Sequence, residues 1–257
     1  MRSATSNSSR YSSNLSWITD TPFPAPIFAS HGETGSNISL RPGKKDADSP
    51  RGHADAGCRR LGVFGGTFDP PHAGHIAAVT AVLQQGVCDQ VVFVPAGTPW
   101  QKAGRDDLSS PDDRYAMTVL LARELSACTV SRVEIDRPGP SYTADTLVLF
   151  RERFPDTEFL LILGADAAIG LPTWHRAEEV LALAQLAVVP RPDSGTELLE
   201  LAERLEGKAS LFFLDMEPVD LSSTGVRCRL GRGERGLAGL PVPVEEYIRK
   251  RGLYGTR

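Results

Sequence analysis

Two histidines one helical turn apart, His72 and His75, close the string Leu61-Gly-Val-Phe-Gly-Gly-Thr-Phe-Asp-Pro-Pro-His-Ala-Gly-His75. Imidazoles at that spacing, next to bare backbone, suit the handling of phosphate. Gly65 and Gly66 carry no Cβ, so the chain can turn tightly there and lie against a ligand. Pro70 and Pro71 stiffen the loop, and Pro71 keeps its predecessor out of helical geometry. The apolar run ending at Val63-Phe64 reads as a buried strand. Ile76, Val79, Val82 and Leu83 then recur at helical spacing until Gly86 supplies a stop. The order is strand, glycine turn, helix start. Backbone N–H groups of Gly65, Gly66, Thr67 and Phe68, with the positive end of a helix dipole, favour an anion at that point. A Gly-Gly turn alone has a plainer, purely structural explanation; the whole string does not.

A second string, Leu221-Ser-Ser-Thr-Gly-Val-Arg227, lies far down the chain after an apolar run and an acidic linker. Ser222, Ser223 and Thr224 at a helix start can cap it and leave N–H groups for an anion. Arg227, one turn in, can reach the same phosphates through its planar fork. By itself this is also an ordinary N-cap. The chain has no G-x-x-x-x-G-K-[ST] loop. Gly231-Arg-Gly-Glu-Arg-Gly236 fits a dinucleotide pattern literally, but it follows a helix, carries three charges and reads as a loop.

Together the two strings resemble the nucleotidylyltransferase superfamily, whose signatures are G-G-x-F-D-P-x-H-x-G-H after the first strand and [IL]-S-S-T-x-[IV]-R near the end. The longer match resembles the bacterial nicotinate-nucleotide adenylyltransferases, in their actinobacterial form. The resemblance implies an ATP site made by Gly65, Gly66, Thr67, Phe68, His72, His75, Ser222, Ser223, Thr224 and Arg227. It implies catalytic roles for His72, His75, Lys102 and Arg227, with Lys102 closing the loop Pro95-Ala-Gly-Thr-Pro-Trp-Gln-Lys102.

The acceptor side follows from the same resemblance. Gly139-Pro-Ser-Tyr-Thr-Ala-Asp-Thr146 matches the family's [ST]-Y-[ST]-x-x-T element, which places Tyr142 and Thr143 by a nicotinate ring with backbone N–H groups for its carboxylate. Trp174, in Pro172-Thr-Trp174, matches the tryptophan that stacks on the pyridine; an arbitrary tryptophan would sooner be core. Arg191, in Val189-Pro-Arg-Pro192, matches an arginine directed at phosphate. Asp166 follows a strand and can accept hydrogen bonds from ribose hydroxyls. Asp193-Ser194 departs from the family's Gly-Tyr, which puts loop contacts there in doubt. The implied reaction joins AMP from ATP to nicotinate mononucleotide, giving deamido-NAD and pyrophosphate in NAD biosynthesis. Mg²⁺ carried by the ATP phosphates is expected, with no protein metal site. Two alternatives remain: a related adenylyltransferase using another acceptor such as nicotinamide mononucleotide, or a catalytically silent nucleotide-binding regulator, which would be expected to lose His72, His75 or Arg227.

The elements that must position these residues alternate. Strands are expected at Leu61–Phe64, Gln90–Pro95, Thr129–Ile135, Phe159–Leu163, Leu186–Val189 and Leu211–Leu214. Helices are expected after Gly74, from Asp112, over Thr143–Phe154, Arg176–Ala184, Thr196–Leu205, Ser222–Leu230 and Val244–Arg251. This argues an α/β fold, a doubly wound, Rossmann-like parallel sheet in a single domain over residues 59–257. Residues 1–58 are rich in Ser, Pro, Gly and Asn with few periodic apolar positions. They read as a disordered N-terminal extension that cannot bury enough surface to offset chain entropy. Its most apolar piece, Pro22–Ala29, is broken by three prolines and lacks the continuous core of a signal peptide.

The formal charge of −4 gives no pull toward nucleic acid or anionic lipid, and no apolar run approaches the roughly 18 residues of a membrane span. Cys58, Cys88, Cys128 and Cys228 are dispersed, without a C-x-x-C pair. They suggest reduced thiols in a cytoplasmic protein. The oligomeric state, homo-oligomer included, is left open.

Overall fold

The computed structural model describes residues 58–99, 107–191 and 194–256. The N-terminal extension up to residue 57 and Lys102 lie outside the described residues. Six parallel strands form one sheet: β1 (Arg60–Gly66), β2 (Gln90–Pro95), β3 (Cys128–Val130), β4 (Glu158–Gly164), β5 (Ala184–Val189) and β6 (Leu211–Phe213), in the order β3-β2-β1-β4-β5-β6. That order reverses direction at β1, so a crevice opens between β1 and β4 beyond their carboxyl ends, the ordinary ligand position of a doubly wound sheet.

Alternation along each strand sends side chains to two cores. On one face Phe64, Phe93, Leu160 and Ile162 meet α1 (Ala73–Gln84), α2 (Pro111–Ala122), α7 (Ser223–Gly231) and α8 (Val242–Arg251), through Val79, Val82, Met117, Leu121, Val226, Leu230, Val244 and Ile248. On the other, Val63, Val94, Leu161, Leu186 and Val188 meet α3 (Thr143–Arg153), α4 (Ala165–Gly170), α5 (Ala177–Leu183) and α6 (Gly195–Leu205). Both faces are covered, which is why the strands read as near-continuous apolar runs.

Two segments differ from expectation. The third strand stops at Val130 and does not extend to Ile135. Ser131 still donates its N–H to Phe93 O, but residues 132–136 close a turn in which Asp136 N–H bonds Arg132 O, and Arg132 is paired with Asp112 and Asp136. Val133 is buried in a core from this turn, so its apolar character imitated a strand. The six-residue helix α4 was not foreseen, because it is too short to display a helical period. The literal dinucleotide pattern at 231–236 is the end of α7 and a loop. All four cysteines are free. Burial pushes the Cys88 and Cys128 thiols up to about 12, which keeps them protonated and unreactive. Among the described residues no helix is long and apolar enough to cross a membrane.

Candidate functional site

The first string folds as a strand, a loop and the start of α1. The two glycines do different work. A Cβ on Gly66 would lie 2.8 Å from the Phe68 ring, so that position must be bare for the loop to close, whereas a Cβ on Gly65 would meet nothing within 4 Å. Gly65 therefore presents open backbone. Phe68 holds a left-handed backbone (φ 51°) with its ring 2% exposed, edge-on to Phe64 and Phe93. Such a conformation persists only where the surroundings impose it.

The two histidines cap α1 together. His72 is the N-cap and accepts the Gly74 N–H through Nδ1 at 3.2 Å, while His75 Nδ1 accepts the His72 N–H at 3.0 Å. Each neutral ring with Nδ1 as acceptor carries its proton on Nε2. The rings lie 4.0 Å apart, and Phe68 stands edge-on to His75 at 5.0 Å. A capping box thus fixes two imidazoles in one tautomer at a helix N-terminus.

Burial lowers the His72 pKa to about 4. Between about 6.5 and about 4 the unfolded chain takes up a proton that the folded ring refuses, so stability falls as pH drops through that window, by up to about 3 kcal/mol from this ring. His72→Asn keeps an N-cap acceptor and should flatten that part of the profile in urea melts at pH 7 and pH 4.5. An unchanged slope would show that other groups carry it.

The second string arrives at the same loop. Ser222 caps α7, its Oγ accepting the Gly225 N–H at 3.1 Å. Ser223 Oγ donates to Pro70 O at 2.9 Å, and Arg227 Nη1 donates to Asp69 O at 2.8 Å. Thr224 Oγ1 accepts from Arg227 Nη2 at 3.4 Å. Two helix N-termini, those of α1 and α7, therefore converge on residues 69–71 with an arginine between them. The Arg227 side chain is 10% exposed and faces Asp107 at 3.5 Å and Asp69 at 3.9 Å. The Asp69 carboxylate, fully buried, accepts the Tyr254 hydroxyl at 2.6 Å. Burial and the adjacent Asp69 both raise the Tyr254 pKa, so the phenol stays a donor.

Beside the loop, a cavity of about 240 Å³ is lined by Gly65, Gly66 and Thr67, by Ser141, Tyr142 and Thr143, and by Trp174 and His175. It joins the first string to the acceptor residues read from sequence. The Tyr142 and His175 rings lie 4.3 Å apart, tilted by 32°, and the Trp174 indole N–H has no hydrogen-bond partner among the described residues. Glu134 also lines the cavity; burial raises its pKa, and it accepts the Thr146 hydroxyl at 2.7 Å.

Asp166 and Arg191 form an exposed ion pair with each other outside the cavity lining. Ser194, at the departure from the family pattern, is buried and bonds both the N–H and the O of Arg191.

A family model described as cytidylyltransferase-like matches residues 63–229. A Saccharopolyspora erythraea protein named probable nicotinate-nucleotide adenylyltransferase is 42% identical over 196 residues, covering 76% of this chain and 90% of its own. One of the same name from Frankia alni is 45% identical over 194 residues, covering 76% and 100%. The chain belongs to the nicotinate-nucleotide adenylyltransferase family. The Plasmodium falciparum nicotinic acid mononucleotide adenylyltransferase complexed with APC superposes with a TM-score of 0.63 at 16% identity, over 77% of this chain and 98% of that one. Its complex with NaAD gives 0.62 at 17%. At those identities the likeness speaks for the shared fold.

Several residues around this cavity and loop carry no motif in the sequence. His175 had a signal, its place next to Trp174. Glu134 was hidden in an expected strand. Asp69 stands inside the first string without a chemical signal of its own, and no local motif marks Tyr254, which reaches it from the far end of the chain.

Proposed function

We propose that this chain transfers the adenylyl group of ATP to nicotinate mononucleotide, giving deamido-NAD and pyrophosphate. The observation that carries the reading is the convergence of both helix N-termini, His72, His75 and Arg227 on one loop that also walls an aromatic cavity. Phosphate donors and a slot for a flat ring then share one mouth.

In this reading the 5′-phosphate oxygen of the acceptor attacks the α-phosphorus of ATP in line. The bond from that phosphorus to its bridging oxygen breaks, and pyrophosphate leaves with the electron pair. The substrate brings its own nucleophile, so the protein's task is alignment of two anions and stabilisation of charge on five-coordinate phosphorus. His75 and His72 offer Nε2–H donors, the amides at Gly65–Phe68 offer backbone donors, and Ser222–Thr224 with Arg227 hold the triphosphate. Lys102 is assigned a phosphate contact as well. Mg²⁺ carried by the ATP phosphates would neutralise part of their charge. Asp69, bonded to the Tyr254 hydroxyl and facing Arg227, is already engaged within the protein.

For the acceptor, Tyr142 and Thr143 are assigned to the ring carboxylate through their N–H groups, Trp174 to the face of the pyridine, Asp166 to ribose and Arg191 to phosphate. The amide analogue would set an NH₂ against backbone donors and leave them unsatisfied. Kinetics with the two mononucleotides test this. Nicotinate mononucleotide should be preferred, and Trp174→Ala should raise the acceptor KM far more than the ATP KM, by a factor equivalent to about 1–3 kcal/mol of lost stacking. Equal turnover of both acceptors, or a Trp174→Ala variant impaired mainly toward ATP, would remove the basis for this acceptor. Residues 59–257 form the catalytic domain in this account, acting in the cytoplasm.

A further inference from the structure

Arg114, on α2, is 1% exposed and ranks among the largest fully buried side chains, yet none of the chemistry above uses it. Among the described residues its guanidinium donates to three main-chain carbonyls: Nη1 to Thr67 O at 3.0 Å, Nη2 to Gly97 O at 3.0 Å and Nε to Ser109 O at 3.2 Å. Among the described residues no carboxylate forms an ion pair with it. Burial lowers its pKa, and the Asp69 carboxylate pulls the other way. A group with so high an ordinary pKa stays charged even so.

The three carbonyls belong to three different segments around the site. Thr67 adjoins the bare glycine backbone of the first string and lines the cavity. Gly97 starts the loop after β2, whose N–H groups at 97 and 98 are held by Ser141 Oγ at 2.9 and 3.2 Å, next to Tyr142 and Thr143. Ser109 leads back to Asp107, which faces Arg227. One planar fork thus binds the loop after β1 to the loop after β2, which Ser141 joins to Tyr142 and Thr143, and to the segment before α2. A lysine could keep the charge but could not span three divergent carbonyls.

We infer that Arg114 is a positioning residue that sets the distance between the two bound nucleotides by tying Thr67 to Gly97. The inference rests on the adenylyl-transfer reading for the identity of those nucleotides. Each half-site keeps its own contacts when the tie is cut, so each nucleotide still binds alone. What suffers is the in-line approach, where a displacement near 1 Å costs about 10²-fold.

The experiment compares native protein with Arg114→Lys, using melting curves to confirm folding, calorimetric binding of a non-hydrolysable ATP analogue and of nicotinate mononucleotide separately, and steady-state turnover. The expected result is a kcat lower by about 10²-fold with both separate dissociation constants within about threefold of native. A folded variant with near-native kcat would overturn the inference. So would binding losses that account for the whole fall in kcat/KM. Should Arg114→Lys melt below the assay temperature, Ser141→Ala loosens the Gly97 end of the same tie without touching the buried cation. A lowered kcat with unchanged ATP-analogue binding supports the tie there, and native kcat overturns it. Native protein inactive with this acceptor would instead sink the adenylyl-transfer reading, so the two failures are distinct.

Discussion

His75→Ala is expected to lower kcat by about 10²–10³-fold while ATP binds with nearly native affinity, the scale for losing one donor aimed at charge that develops only in the transition state. The assignment rests on tautomer and place. His75 Nδ1 is engaged by the His72 N–H at 3.0 Å, which leaves the proton on Nε2, and the ring is held by Phe64 and Phe68. The alanine also removes half of a capping box, so a stability loss of roughly 1 kcal/mol accompanies the kinetic one. His75→Gln separates the two effects. Glutamine at this helix position can accept the same N–H, so its melting temperature should approach native while its turnover stays depressed. Near-native kcat in the alanine variant, measured by pyrophosphate release, would remove His75 from the chemistry.

Arg227→Ala should cost about 10²–10³-fold in kcat/KM, and Arg227→Lys should recover little of it. The guanidinium is held by the Asp69 carbonyl at 2.8 Å and faces the carboxylates of Asp69 and Asp107 beside the α7 N-terminus. A lysine supplies charge without the fork. Alanine also strips a buried carboxylate of its neighbouring cation, so Asp69→Asn in the Arg227→Ala background should regain part of any lost stability. A lysine variant with native kcat/KM would reduce Arg227 to a simple counter-charge.

The sheet was legible because both its faces are buried. Runs such as Gln90–Pro95 and Phe159–Leu163 announce themselves as apolar, and the helices between them keep a clear period. The two phosphate strings were legible for a different reason: each packs its chemistry into neighbouring residues, so spacing alone exposes it. What stayed hidden depends on contacts between distant positions. Tyr254 reaches Asp69 and Arg114 reaches Thr67, and no local period marks either pair. Glu134 was misplaced for a local reason, since Val133 and Ile135 flank it in a strand-like alternation that the Arg132–Asp136 turn then breaks. Asp166 and Arg191 were each read as facing a ligand, and neither reading could reveal that they pair with each other.

Adenylyl transfer itself is tested most directly by following label from ATP carrying a marked α-phosphate in the presence of nicotinate mononucleotide. The account predicts that the label passes into a dinucleotide, one pyrophosphate appearing for each label transferred, and that omitting the acceptor stops both. Label that stays in ATP, or leaves as free AMP without regard to the acceptor, would contradict it.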